Sequence, residues 1–312
     1  MILNLSNRTD ILAFYTPWLL NRLREGFVQV RNPYHPQQVS QYVLTPEAVD
    51  CLAFCTKNPL PLLQQPDLLA RLQQFETYFF VTITPYGADV EPMVPNWRQV
   101  TQAAAQLAEV VGRKRVAWRY DPILLSKKYT VAYHQHIFPQ MMEQLAPSVH
   151  RCVISFLDCY EKTRRNAPDL FPPGDRQRKL IVQIIGDAAR QYQLPVSTCA
   201  EKFDLQQFGI SQEGCLSPTF LAQAADVEWP RGNSKPLRPD CHCLPSRDIG
   251  AYNSCSHGCR YCYANYDRQA VTANVPRHNP QSPFLLGTAQ PEDVVHLVQS
   301  KRNKIQQLRL DF

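Results

Sequence analysis

Three cysteines near the end of the chain, Cys255, Cys259 and Cys262, have the spacing of a metal-binding loop. They stand in Cys255-Ser-His-Gly-Cys259-Arg-Tyr-Cys262-Tyr-Ala-Asn265, a C-x3-C-x2-C pattern with an aromatic residue before the last cysteine. Three thiolates on so short a loop suit three irons of a cubane iron–sulfur cluster and leave the fourth iron open. An open iron can bind a small molecule, which a cluster that only passes electrons does not need. The competing occupant is a structural zinc ion, which takes four ligands, commonly in C-x2-C pairs. Cys259 and Cys262 form such a pair, and Cys255 or His257 with Cys241 or Cys243 would complete it. The uneven spacing and Tyr261 favour the cluster. His257 and Gly258 let the loop turn tightly.

A second group of cysteines is Cys199, Cys215, Cys241 and Cys243. Free buried cysteine normally sits among apolar neighbours, as Cys51, Cys55 and Cys152 do here. Cys215 lies instead in a turn, and Cys241-His-Cys243 in a polar segment with four prolines between Pro230 and Pro245. Four such thiols suit either a second [4Fe–4S] cluster or a zinc ion, with His242 able to replace one ligand. Cys159 reads as a plain residue.

The elements that must position these groups are those of an α/β chain. Short apolar runs predict strands at Ile2–Ser6, Cys51–Cys55, Tyr78–Thr84, Arg115–Tyr120, Cys152–Leu157 and Val196–Cys199. Helical periodicity fills about 11–25, 66–75, 96–111, 130–146 and 176–192 between them, and Phe27–Asn32 reads as a hairpin or edge strand. Alternating strands and helices mean parallel strands joined by crossovers, and six units predict a (β/α) TIM-like barrel or partial barrel. The expected division is a barrel core over 1–202, a cysteine-rich, irregular segment over 203–266 capping the C-terminal face of the strands, and a loop and helix over 267–312. The helix is predicted over about 291–309, with Val294, Val295, Leu297 and Val298 as its apolar side.

In a parallel barrel the C-terminal strand ends meet on one face, where chemistry collects. Each predicted strand delivers polar groups there: Arg8 and Asp10; Lys57 and Asn58; Thr84 and Tyr86; Arg119 and Asp121; Ser155 and Asp158; Thr198 and Glu201. Asp10, Asn58 and Asp158 are also good helix N-caps. Arg8, Lys57 and Arg119 are poor ones, so a shared pocket is the better account of the set. The candidate catalytic residues are Arg8, Asp10, Lys57, Arg119, Asp121, Asp158 and Glu201.

The 312 residues, 44% hydrophobic and 19% charged, describe an ordinary globular chain of one large or two small domains. The formal charge of +6 permits phosphate-rich partners without arguing for them. No apolar run spans a bilayer, and the chain does not open on a charged lead with an apolar stretch. The expectation is a cytoplasmic protein whose eleven cysteines are free thiols or metal ligands.

The cysteine triplet resembles the cluster motif of the radical S-adenosylmethionine (SAM) enzymes. The whole chain resembles the bacterial DUF1848 family over roughly residues 1–266. That likeness rests on Ser6-Asn7-Arg8-Thr9-Asp10-Ile11, Thr56-Lys57-Asn58-Pro59, Trp118-Arg119-Tyr120-Asp121-Pro122-Ile123, Ser155-Phe156-Leu157-Asp158 and Asp248-Ile249-Gly250-Ala251-Tyr252-Asn253. The radical SAM resemblance implies a [4Fe–4S] cluster on Cys255, Cys259 and Cys262. It also implies SAM chelated on the open iron and cleaved by one electron to methionine and a 5′-deoxyadenosyl radical. It implies an electron donor such as flavodoxin or ferredoxin, and Tyr261 near the adenine. Arg8, Lys57, Asn58 and Arg119 become candidates for binding SAM, whose carboxylate suits Arg or Lys. The substrate would be a small molecule or nucleotide, the latter because the triplet's surroundings also resemble those of the spore photoproduct lyase group.

In radical SAM enzymes the triplet follows the first strand, whereas here it comes late. A permuted barrel reconciles the two, since the first strand of a barrel can follow its last in space. Two other readings remain at this stage. One is an iron–sulfur or zinc protein that binds nucleic acid or a protein partner without SAM chemistry. The other is a metal-independent barrel hydrolase built on Asp10, Asp121 and Asp158, which leaves the cysteines unexplained.

Overall fold

The computed structural model describes residues 1–225, Trp229 and 240–299. Its strands are β1 (Ile2–Asn4), β2 (Phe27–Arg31), β3 (Gln38–Val43), β4 (Cys51–Thr56), β5 (Thr77–Thr82), β6 (Val116–Ile123), β7 (Cys152–Phe156), β8 (Val196–Thr198), β9 (Ile210–Ser211), β10 (Ser246–Asp248) and β11 (Val294–Leu297). Its helices are α1 (Ile11–Phe14), α2 (Thr16–Glu25), α3 (Leu60–Leu63), α4 (Pro66–Leu72), α5 (Trp97–Val111), α6 (Val131–Leu145), α7 (Glu161–Asn166), α8 (Asp175–Gln191), α9 (Pro218–Ala225) and α10 (Arg268–Asn274).

Eight strands form one sheet in the order β10-β1-β4-β5-β6-β7-β8-β9, and every neighbouring pair is parallel. From β1 to β9 that order follows the chain without reversal. Right-handed crossovers that always step the same way put the connecting helices on one face and curl the sheet toward a barrel. Among the described residues β9 and β10 do not pair with each other, so the barrel is partial.

Period-two alternation divides the strand residues between the faces. Leu3, Leu52, Phe54, Phe79, Trp118 and Ile154 join the helix-covered core. Ile2, Ala53, Tyr78, Phe80, Ala117 and Val153 line the concave side with Cys215, Leu216 and Leu221. Helix starts follow local chemistry. Asn96 and Gln99 form a capping box at α5, Thr130 caps α6, and a proline in the first turn restarts the chain as α2 after α1 stops at Tyr15. No helix among the described residues is long and apolar enough to cross a membrane.

The structure departs from the sequence reading in three places. Val294–Leu297 is not helical but pairs in parallel with β3, completing a small sheet with β2. Val294, Val295 and Leu297 are exposed, so no buried face exists for a helix there, and the run is rich in β-branched residues, which favour strands. The remainder of the predicted helix, from 300, lies outside the described residues. The sheet also continues past residue 202, through β9 and β10, strands of two and three residues that are too short to show periodicity. Finally, the cysteine-rich segment divides. Phe220 of α9 packs on His150 and Arg151, which precede β7, so this part plugs the N-terminal end of the barrel. Only the part after β10 caps the C-terminal face. Residues 230–239 of the proline-rich stretch lie outside the described residues.

Candidate active site

The loop that carries the triplet leaves β10, which pairs with β1 through Ile2–Ser246, Leu3–Arg247 and Asn4–Asp248. Arg8 fastens the two strand ends: its Nε donates to Asp248 Oδ2 at 2.6 Å and its NH2 to the Asp248 carbonyl at 3.0 Å, while its guanidinium lies over Tyr252. The base of the loop is closed by the Asn253 amide on the Ala264 carbonyl and by Asn265 Nδ2 on the Cys255 carbonyl. Gly258 turns the loop at φ +70°, a left-handed conformation that costs a residue with a side chain.

Three strand-end segments hold the loop in place. After β1, Asp10 caps α1 through the Ala13 amide, and its second oxygen meets both the Lys57 amide at 2.8 Å and His257 Nε2 at 2.9 Å. Tyr15 donates to the Ser254 carbonyl at 2.6 Å. After β5, the Met93 amide donates to the His257 carbonyl and the Arg260 amide to the Val90 carbonyl. After β7, α7 reaches the loop through Lys162 on the Tyr263 carbonyl and Asn166 on the Tyr266 carbonyl. The loop thus caps the C-terminal strand ends. On its outer side a cavity of about 680 Å³ is bordered by Cys255, Cys259, Met93 and Val271 of α10.

The three thiols lie within electrostatic range of one another. Burial raises all three pKa values; Asp10 adds to the effect on Cys255, and Glu91 to that on Cys259. Backbone N–H groups of His257, Ala264 and Asn265 work the other way, toward the thiolate: the first on Cys255, the other two on Cys262. Such N–H to sulfur bonds are the usual support of cluster ligands, and the donor set of three thiols fits that group.

Beneath the loop lies a buried polar group that the sequence reading missed at its centre. Glu91 is 2% exposed and accepts from Lys57 Nζ at 2.9 Å, from Thr84 Oγ1 at 2.7 Å and from the Tyr261 hydroxyl. Burial works against the Lys57 ammonium, but Glu91, and after it Cys259, hold its pKa above the usual range. Burial and then Glu91 raise Tyr261 well above its ordinary value. Next to this group Asp121 is bonded by Arg119 and by the Ser155 hydroxyl. Asp121 raises, and burial opposes, the Arg119 pKa, and Cys55 and Cys199 lie close to the same guanidinium. Glu201 accepts the Phe156 amide at 2.8 Å, and burial, with Asp158 and Asp121 adding to it, pushes its pKa up to about 7.

The strand-end residues therefore separate by task. Lys57, Arg119, Asp121, Ser155 and Glu201 come together at the mouth with Tyr261. Arg8 and Asp10 lie beside them as clamps of the loop. Asn58 is turned to its own segment, accepting from the Leu60 amide at the start of α3. Asp158 is exposed, accepts from the Tyr160 hydroxyl at 3.4 Å and stands at the rim of the mouth, within the field of Glu201. These two took the local alternative that short polar side chains always have. One signal for Glu91 was present: with Asp89 it is one of two acids in the loop that follows the third predicted strand, Tyr78–Thr84.

The second group of cysteines also assembles. Cys199 Sγ lies 3.8 Å from Cys215 Sγ, Cys215 Sγ lies 3.2 Å from Cys243 Sγ, and Cys241 bonds to Cys243. The hydrogen bonds of Cys215 with Cys199 and Cys243 hold its pKa below the ordinary value. Among the described residues, no three His, Cys, Asp or Glu side chains already close around a single point as ligands of one ion do.

The family model described as a domain of unknown function, DUF1848, matches residues 2–264. The chain belongs to the DUF1848 family. The match takes in the strand-end residues and both groups of cysteines, so the assembly just described lies inside the DUF1848 region. No curated protein matches the chain. Among solved structures, a putative alpha-L-fucosidase from Bacteroides thetaiotaomicron is similar with a TM-score of 0.27 and 10% identity, over 50% of this chain. The similar region spans 66%, just under two thirds, of that structure's chain, and nothing about activity follows from so distant a likeness.

Proposed function

We propose that this DUF1848 protein is a radical SAM-type enzyme whose cluster is held by Cys255, Cys259 and Cys262. The observation that carries the reading is the place of the loop in space. β10 is late in the chain but stands next to β1 at the head of the sheet order. The triplet therefore follows the first strand of the sheet, the position it has in the radical SAM enzymes it resembles. A [4Fe–4S] cluster held there by Cys255, Cys259 and Cys262 would supply the electron for reductive cleavage of SAM.

The chain's own residues do the rest. The amides of His257, Ala264 and Asn265 support the thiolates. Glu91 fixes the Tyr261 ring and the Lys57 ammonium at the mouth, each through its own hydrogen bond. Lys57 and Arg119 set two cations there, suited to carboxylates of SAM or substrate. Asp121 and Ser155 offer a bonded acceptor and hydroxyl beside Arg119. Glu201, with a pKa of about 7, can hold or release a proton near neutral pH. The clamps from the β1, β5 and β7 ends keep the loop over the mouth and limit water there.

The test is anaerobic purification, a count of iron and sulfide, reduction with dithionite and addition of SAM. The expected result is 5′-deoxyadenosine from the native chain and none from Cys259→Ala. Iron and sulfide without SAM cleavage would reject the enzyme reading and leave an iron–sulfur binding protein. Zinc at the triplet without sulfide would reject the cluster as well.

A further inference from the structure

The second group of cysteines lies where the barrel is not closed. Cys199 follows β8, Cys215 follows β9, and Cys241 and Cys243 precede β10. All four are buried. The segments around Cys215 and Cys243 meet backbone to backbone. The Leu244 amide donates to the Leu216 carbonyl at 2.9 Å, and the Leu216 amide to Cys243 Sγ at 3.4 Å. Gly214 permits this approach: at φ +82°, a Cβ there would come within 2.9 Å of the His242 carbonyl carbon.

A second observation points to an anion at this place. Arg151 is fully buried. Among the described residues its partners are the Tyr78 hydroxyl at 2.9 Å, the Gly214 and Cys215 carbonyls and the rings of Phe220, Tyr78 and Phe80, with no carboxylate. A buried guanidinium without a counter-ion is costly. The thiol of Cys215 is within its field, and within that of Arg119.

We propose that Cys199, Cys215, Cys241 and Cys243 bind a single divalent ion, zinc, as a tetrahedral tetrathiolate. Zinc–sulfur bonds of about 2.3 Å make a tetrahedron with sulfur edges of about 3.8 Å. The Cys199–Cys215 separation is 3.8 Å and the Cys215–Cys243 separation 3.2 Å, so the sulfurs are already at contact distance. The ligands of a cubane, one per iron, stand outside the cube and cannot touch in this way. Binding displaces the thiol protons: Zn²⁺ and four thiols give a tetrathiolate of charge −2 and four protons. Arg151 and Arg119 face that charge. The ion ties the β8 and β9 ends to β10 across the open seam and so anchors the strand that carries the triplet loop.

The experiment uses the full chain with Cys255→Ala, Cys259→Ala and Cys262→Ala, so that success or failure of the SAM reading does not affect it. Zinc, iron and sulfide are counted, and the zinc is replaced by Co²⁺. The expected result is one zinc per chain without sulfide, and a cobalt spectrum with the intense visible bands of a tetrahedral thiolate site. Adding Cys243→Ser should lower zinc retention against a chelator at least tenfold. A folded chain that binds neither zinc nor cobalt overturns the proposal, and so does iron with sulfide at these cysteines. The cobalt spectrum is read before Cys243 is changed, so the result stands even where that variant does not fold.

Discussion

Breaking the Lys57–Glu91 pair from one side should cost far more than removing both partners. Lys57 Nζ lies 2.9 Å from Glu91 Oε1, with the side chains 13% and 1% exposed. Glu91→Leu leaves the ammonium in a largely dry site. Breaking a buried pair from one side costs about 3–5 kcal/mol, and the partial exposure of Lys57 puts this loss near ~3 kcal/mol in all, the two hydroxyls that lose Glu91 as acceptor included. Lys57→Met leaves a carboxylate that keeps Thr84 and Tyr261 as donors, which also sets its cost near ~3 kcal/mol. In the double variant no charge remains. Two hydroxyls lose an acceptor, at about 1 kcal/mol each, so the double variant should lose roughly 2 kcal/mol and not the 6 kcal/mol of a simple sum. A coupling of about 4 kcal/mol, read from urea unfolding of the four chains, is the expected outcome. Additive single effects would refute the picture of a dry, mutually dependent pair beneath the loop.

Two further consequences concern the mouth and the loop. Glu201 has its pKa raised from 4.5 to about 7 by burial, so the folded chain binds more protons than the unfolded one between these values. Stability should therefore fall as pH rises from about 4.5 to 7, by at most about 1.4 kcal/mol per pH unit. Glu201→Gln should flatten that limb of the curve, and an unchanged slope would assign it to other groups. Gly258→Ala should lose about 1 kcal/mol from the left-handed backbone alone, since Pro92 stands at an ordinary 3.9 Å from the added Cβ. Gly258→Asn should lose less, and thermal melts of both variants giving equal losses would contradict a backbone origin.

The strands and helices of the barrel were readable because burial on both faces leaves continuous apolar runs and the long helices carry clear stripes. Cys51–Thr56 and Trp97–Val111 are examples. What escaped were elements whose identity is set by partners far away in the chain. β10 has three residues and exists because β1 offers it an edge, and Val294–Leu297 became a strand because β3 did the same. The site followed the same rule. Lys57, Arg119 and Asp121 could be found from their places after predicted strands. Glu91 could not be ranked above other acids, because its importance comes from Lys57, Thr84 and Tyr261 converging on it in space. The division of Arg8 and Asp10 into clamps likewise depends on Asp248 and His257, some 240 residues away.

That separation bears on why the triplet can come last in the chain. The Arg8–Asp248 bonds span 240 residues. Against a 60-residue loop this is two doublings in length, and each doubling adds only about 0.6 kcal/mol of closure entropy. One charge-assisted hydrogen bond contributes about 1.5–3 kcal/mol, and the loop has several long-range anchors in Arg8–Asp248, Asp10–His257 and Glu91–Tyr261. The late position is therefore thermodynamically light. Its effect falls on the order of assembly. Every anchor of the loop belongs to strand ends made earlier during synthesis, so the three thiols emerge onto a mouth already shaped to receive them. The same order puts Cys241 and Cys243 ahead of β10. Ligation there would fix the strand before the triplet has to be placed.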